Sequence, residues 1–202
     1  MITIAWDVDD VLNNLTEAWL AANHPTAAYW ALTSNPPLEP LGIGRDAYFA
    51  SLDRFRAERL KSLLPNAEVL AWFREHGRRA RHVALSAVPR RFASLSAEWT
   101  LAHFGDWIRT YTFIPSPRSD DAFPEYDTSK AVYLARTKLA DVLIEEDATK
   151  HAIPLSVPLG TNRLSAKDAR TLAMAVKNVM RETELKEPIQ VLMKWAREAN
   201  GV

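Results

Sequence analysis

Two aspartates, Asp7 and Asp9, stand two residues apart where an apolar N-terminal run ends in acids: Ile2-Thr3-Ile4-Ala5-Trp6-Asp7-Val8-Asp9-Asp10-Val11. The run carries two isoleucines and reads as a buried β-strand. In extended backbone both side chains leave on the same side of the chain. Carboxylates gathered at the end of a buried strand repel each other and are costly to desolvate. A divalent cation, or a proton shared with a substrate, relieves that cost. The competing explanation is structural, because Asp suits N-caps and turns and Asn13-Asn14 follow directly.

The same grammar returns at Asp141-Val142-Leu143-Ile144-Glu145-Glu146-Asp147, an apolar strand and then consecutive acids. These are either a solvated surface run or carboxylates that need a cation nearby. Ser86 ends the apolar segment Arg81-His82-Val83-Ala84-Leu85-Ser86. A hydroxyl there, with the backbone N–H groups after it, can hold anionic oxygens; it can equally cap a turn. Arg90 and Arg91 follow, either as contacts to an anion or as solvated charges at a helix start. Lys130, after Ser129, opens a helical segment directly before the second acidic strand. A cation at a helix N-terminus opposes the macrodipole preference, so the placement suits a Lys aimed at an anion. Asp120-Asp121, in a loop flanked by Ser and Pro, reads as turn chemistry, and His82 and His103 have no partner at metal-ligand spacing and read as structural.

The elements that must position these residues alternate in type. Strands are expected at Ile2–Trp6, Arg81–Ser86, Trp107–Ile114, Asp141–Glu145 and, with two prolines and so at an edge, Ile153–Leu159. Helices are expected at Leu15–Asn23, at Arg45–Leu64 with its aromatic stripe, and from an Asn66 N-cap to a Gly77 stop. Further helices are expected at Phe92–Phe104, Ser129–Lys138, Ser165–Arg181 and Glu187–Asn200. Strands alternating with helices imply a parallel α/β sheet with the ligand at the carboxyl ends of its strands.

The segment DVDDV at residues 7–11 resembles motif I of the haloacid dehalogenase (HAD) superfamily, whose phosphatase branches carry D-x-D-x-[TV]. The resemblance covers roughly residues 1–162. It implies a three-layer Rossmann-like parallel sheet with a small α-helical cap inserted after the first strand. The core would comprise residues 1–13 and 65–202, and the cap residues 14–64. It implies Asp7 as the nucleophile that takes a phosphoryl group and Asp9 as general acid/base. Leu85-Ser86-Ala87-Val88-Pro89 looks like motif II, and Lys130, or Arg118 as the fallback, like motif III. Glu146-Asp147 would be the motif IV pair, with Glu145-Glu146 the alternative register. Mg²⁺ would then be held by Asp7, Asp9 and Glu146 or Asp147. Arg45, Arg54, Arg56 and Trp30 in the cap are candidates for touching the leaving group, and no spacing rule singles one out.

The implied activity is a Mg²⁺-dependent phosphomonoester hydrolase of nucleotidase-like type, acting on a small phosphorylated substrate such as a nucleoside monophosphate. A phosphomutase of the same fold and a catalytically silent binding protein are the rivals. The totals agree with a small globular enzyme: 202 residues, 48% hydrophobic, formal net charge zero. Balanced charge leaves no electrostatic footprint for a nucleic acid polymer or an anionic membrane. The absence of Cys excludes disulfides and thiolate chemistry and suits a reducing cytosol. No apolar run reaches membrane-span length, and no basic leader precedes the first strand, so the chain reads as cytoplasmic. The C-terminal helices are expected to pack on the sheet or to form a homodimer face.

Overall fold

The computed structural model describes residues 3–27, 36–114, 116, 129–140, 142–145 and 156–158. The five described strands are β1 (Thr3–Trp6), β2 (Arg81–Ser86), β3 (Ile108–Phe113), β4 (Val142–Glu145) and β5 (Ser156–Pro158). They form one parallel sheet in the order β3-β2-β1-β4-β5, so the N-terminal strand lies at the centre and the proline-bearing one at an edge. Ile4 pairs with His82 on one side and with Val142 on the other, which buries β1 on both edges.

Side chains alternate along these strands, and each face is covered by helices. Ile4, Trp6, Ala84 and Ile144 face α4 (Ala67–His76) and α5 (Ala93–Phe104), where Val69, Trp72, Phe73, Trp99 and Phe104 complete a core. Ala5, Val83, Leu85 and Leu143 face the opposite way, toward Tyr133 and Leu134 of α6 (Lys130–Thr137). The result is a three-layer, Rossmann-like α/β fold. β1 connects toward β2 while β4 lies on its other side, so the point where the winding reverses falls between the carboxyl ends of β1 and β4.

Between β1 and α4 the chain runs through α1 (Leu15–Asn23), α2 (Leu38–Leu41) and α3 (Arg45–Arg59). Leu15, Trp19, Leu20, Tyr48 and Leu52 form a separate apolar cluster here, tied by a 3.1 Å hydrogen bond from the Trp19 indole to Ser51. The chain leaves and re-enters at neighbouring points: Asn13 bridges Pro65, and Asn66 N–H donates to the Leu12 carbonyl at 2.8 Å. Among the described residues no helix is long and apolar enough to cross a membrane.

Two local expectations need correction. The helix expected to reach Leu64 ends at Arg59, continues as a tighter turn over Leu60–Ser62, and leaves Leu64 76% exposed. Gly77 ends α4 as expected, but not in left-handed backbone: its φ is −59°, and a tighter turn over Gly77–Arg79 follows. Its lack of a side chain is required by packing instead, since a Cβ there would lie 2.6 Å from Trp107 Cδ1. The helices expected at 165–181 and 187–200 lie outside the described residues.

Asn66 caps α4 as its sequence implies, accepting from Glu68 N–H at 3.1 Å and Val69 N–H at 3.3 Å. His82 sits inside the aromatic core of Trp6, Trp72 and Phe73. Its Nδ1 accepts from the Trp6 indole at 3.0 Å and its Nε2 lies 2.8 Å from the Gly77 carbonyl, a pairing that assigns the proton to Nε2. Burial lowers its pKa to about 4, against a smaller upward pull from the Gly77 carbonyl.

The folded-state pKa of His82 is depressed, so its contribution to stability is complete above its unfolded value near 6.5 and is lost as pH falls toward 4. That loss should reach about 3 kcal/mol. Urea unfolding of wild type and His82→Gln across this window measures it, and the variant should lack that part of the slope. Gly77→Ala should destabilise by roughly 1–3 kcal/mol through overpacking against Trp107, read as a lower urea midpoint at unchanged slope.

Candidate active site at the end of the central strand

β1 delivers Asp7 to the winding-reversal point. Its backbone N–H donates to the Ile144 carbonyl at 2.9 Å, one residue before Glu145 closes β4. The side chain is buried and faces two donors: Oδ1 accepts from Val8 N–H at 2.7 Å, and Oδ2 lies 2.5 Å from Lys130 Nζ. Lys130 is itself buried at the first turn of α6, behind a Ser129 cap that accepts from Val132 N–H at 3.2 Å. Two opposite charges taken out of water at this distance offset a desolvation cost that neither could carry alone.

Beyond Asp7 the chain does not stay extended. It closes a turn over Val8–Leu12, with Asn13 N–H donating to the Val8 carbonyl at 3.1 Å. Asp10 takes a left-handed conformation, φ 62°. Asp7 and Asp9 therefore do not leave one extended strand as neighbours; the turn begins between them. Asp10, which motif reading leaves without a task, holds that turn. Its carboxylate accepts from Thr16 N–H at 2.7 Å and from the Thr16 hydroxyl, while its own N–H donates to Asn13 Oδ1 at 3.2 Å. Asn13 also accepts from Leu15 N–H at 3.0 Å and donates to Asp9 Oδ1 at 3.3 Å. Within the acidic cluster the structural explanation, a residue that holds a turn, applies to Asp10.

Asp9 Oδ2 accepts from Arg56 Nη2 at 2.7 Å. Arg56 comes from α3, is only 4% exposed, and is the one cap candidate among Arg45, Arg54 and Arg56 whose side chain reaches the motif. Arg54 is exposed, and Arg45 lies over the Phe49 ring. Trp30 lies outside the described residues.

Ser86 ends β2 two residues past Ala84, the strand partner of Trp6, and is buried. Behind it stands Tyr111 of β3, which sequence reading missed because nothing marks one aromatic within an alternating strand. Burial pushes the Tyr111 hydroxyl pKa up, and the charges of Asp9 and Asp7 add to the rise. Its hydroxyl faces Ser96 and Ser86, close enough for both to oppose the rise, without the alignment of a full hydrogen bond.

Glu146 and Asp147 lie outside the described residues, as do Arg118 and the Asp120-Asp121 pair. Among the described residues no group of three or more His, Cys, Asp or Glu could by itself hold a metal ion. Of the residues expected to hold Mg²⁺, the described part contains Asp7 and Asp9. Asp7 and the end of β4 are adjacent through the Asp7 to Ile144 hydrogen bond, and hard carboxylate and carbonyl oxygens suit Mg²⁺.

No protein-family model and no curated protein matches the chain. Among solved structures, a protein from Thermotoga maritima assigned as a beta-phosphoglucomutase aligns over 89% of this chain and 100% of its own. The TM-score is 0.47 and the identity 14%.

The Asp10 staple should be separable from the chemistry. Asp10→Ala should cost about 1–3 kcal/mol, since it strands two Thr16 donors and leaves a left-handed residue without its local bonds. Asp10→Asn keeps an acceptor for Thr16 N–H and a residue tolerant of that backbone, so it should cost less. Urea titrations that put both losses at the same value would remove Asp10 from this role.

Proposed function

We propose that the chain is a phosphoryl-transfer enzyme of the HAD type, a Mg²⁺-dependent phosphomonoester hydrolase that works through an aspartyl-phosphate. The observation that carries this reading is the buried Asp7–Lys130 pair, 2.5 Å apart at the carboxyl end of the central strand, with Asp9 on the turn immediately after it.

In this mechanism a carboxylate oxygen of Asp7 attacks phosphorus in line, and the bond to the leaving oxygen breaks as Asp9 protonates that oxygen. Asp9 then takes a proton from water, which attacks the aspartyl-phosphate, releasing inorganic phosphate and regenerating Asp7. Lys130 offsets negative charge on the carboxylate and the phosphoryl oxygens, and the Ser86 hydroxyl holds one of those oxygens. Mg²⁺, when bound through Asp7, the Asp9 carbonyl and Glu146 or Asp147, supplies further neutralisation of the phosphoryl charge. Residues 14–64 serve as the cap that excludes water, in keeping with their own apolar cluster and paired entry and exit points. A nucleoside monophosphate is the lead substrate, taken up in the cytoplasm, and the C-terminal segment is the candidate for a homodimer face.

Turnover of p-nitrophenyl phosphate should require Mg²⁺ and fall at least about 10³-fold in Asp7→Asn. Lys130→Met should lower kcat by a comparable factor. Wild type and Asp7→Asn equally inert across a broad phosphate-ester panel would remove the enzymatic reading. An isomerised sugar phosphate in place of free phosphate would make the protein a mutase.

A further inference from the structure

Arg56 sits on the face of α3 that meets the catalytic turn and is shared by two carboxylates. Its Nη2 donates to Asp9 Oδ2 at 2.7 Å, and its Nη1 donates to Asp53 Oδ1 at 3.1 Å. Asp53 lies one turn earlier on the same helix and is itself buried. Its second oxygen is taken by Arg91, which belongs to the turn after β2. Phe92 lies under both guanidinium groups, at 5.6 Å from Arg56 Cζ and 5.2 Å from Arg91 Cζ.

The chain of charges thus runs Asp9–Arg56–Asp53–Arg91, leaving the catalytic turn, entering the insertion and returning to the sheet. A guanidinium has the planar fork to engage two carboxylates at once, and an ammonium does not. With Arg56 nearly excluded from water, the loss of either carboxylate would leave charge uncompensated at the seam.

We infer that Arg56 is a positioning residue that clamps Asp9 for proton transfer and makes the seating of α3 on the core depend on the Asp9 carboxylate. This deepens the phosphatase reading and rests on it for the kinetic part. The clamp itself can be tested without turnover.

Hydrogen exchange on the full chain provides that test. Asp9→Asn and Arg56→Lys should each speed exchange of the α3 amides about tenfold or more relative to α4 and α5. The Lys variant retains the positive charge, so it separates the fork from the charge. Unchanged α3 protection in both variants would overturn the clamp, whether or not the protein hydrolyses anything.

Kinetics tests the positioning. A general acid matters most for a poor leaving group, so Arg56→Lys should lower kcat for an alkyl phosphate such as glycerol phosphate at least about tenfold more than for p-nitrophenyl phosphate. KM should change little. Equal losses on both esters would reduce Arg56 to a structural contact. Absence of wild-type turnover on both esters and across a broad phosphate-ester panel would instead remove the phosphatase reading, leaving the exchange result to decide the clamp.

Discussion

The buried carboxylate of Asp7 constrains the rest of this molecule. A negative charge at the end of the central strand, flanked by β2 and β4, cannot stay there without compensation. Among the described residues the fold provides it through the Val8 N–H and the Lys130 ammonium, while the backbone bond from Asp7 N–H to the Ile144 carbonyl fixes where the carboxylate stands. Each of these contacts depends on a different element being in register. The turn after β1 must close to present Val8, α6 must start at Lys130, and β4 must lie directly beside β1. A slip of one residue in β1 would turn Asp7 away from Lys130 and drive Trp6 out of its aromatic pocket.

This dependence shapes the whole N-terminal acidic cluster. Three aspartates within four residues would be strongly self-repelling in isolation. The structure separates them by giving each its own counter-group: Lys130 for Asp7, Arg56 for Asp9, and Thr16 with the surrounding backbone for Asp10. The left-handed Asp10 makes that separation possible by turning the chain between Asp9 and α1. Backbone strain at a single residue is offset by hydrogen bonds that also fix the start of the insertion.

The insertion is tied to the core at both ends of its sequence and again through charge. Backbone pairing at Asn13 and Pro65 holds its base, and the Trp99 indole donates to the Leu63 carbonyl at 2.8 Å where it ends. Arg56 and Arg91 join the seam nearest Asp9. These contacts differ in kind: those at the base are backbone or neutral, whereas those near Asp9 are ionic and therefore sensitive to what else approaches the site.

Much of this was legible in the order of residues, because its determinants are local. Apolar runs ending in acids, the Asn66 cap, the Ser129-Lys130 helix start and Pro158 of the edge strand each declare themselves within a few positions. Alternation of strand and helix then implies a parallel sheet, and the carboxyl ends of its described strands carry Asp7, Ser86 and Glu145. What the sequence could not decide were pairings between residues far apart along the chain. Arg56 and Asp9 are 47 positions apart, Arg91 and Asp53 are 38, and no local pattern distinguishes Arg56 from Arg45 or Arg54. The packing of Trp107 against Gly77 was likewise invisible, so the helix stop at Gly77 was legible while the close approach that requires a glycine there was not. Local propensity set the elements; which buried charge met which was decided only when the sheet and the insertion closed on each other, because desolvation penalises every unmatched arrangement.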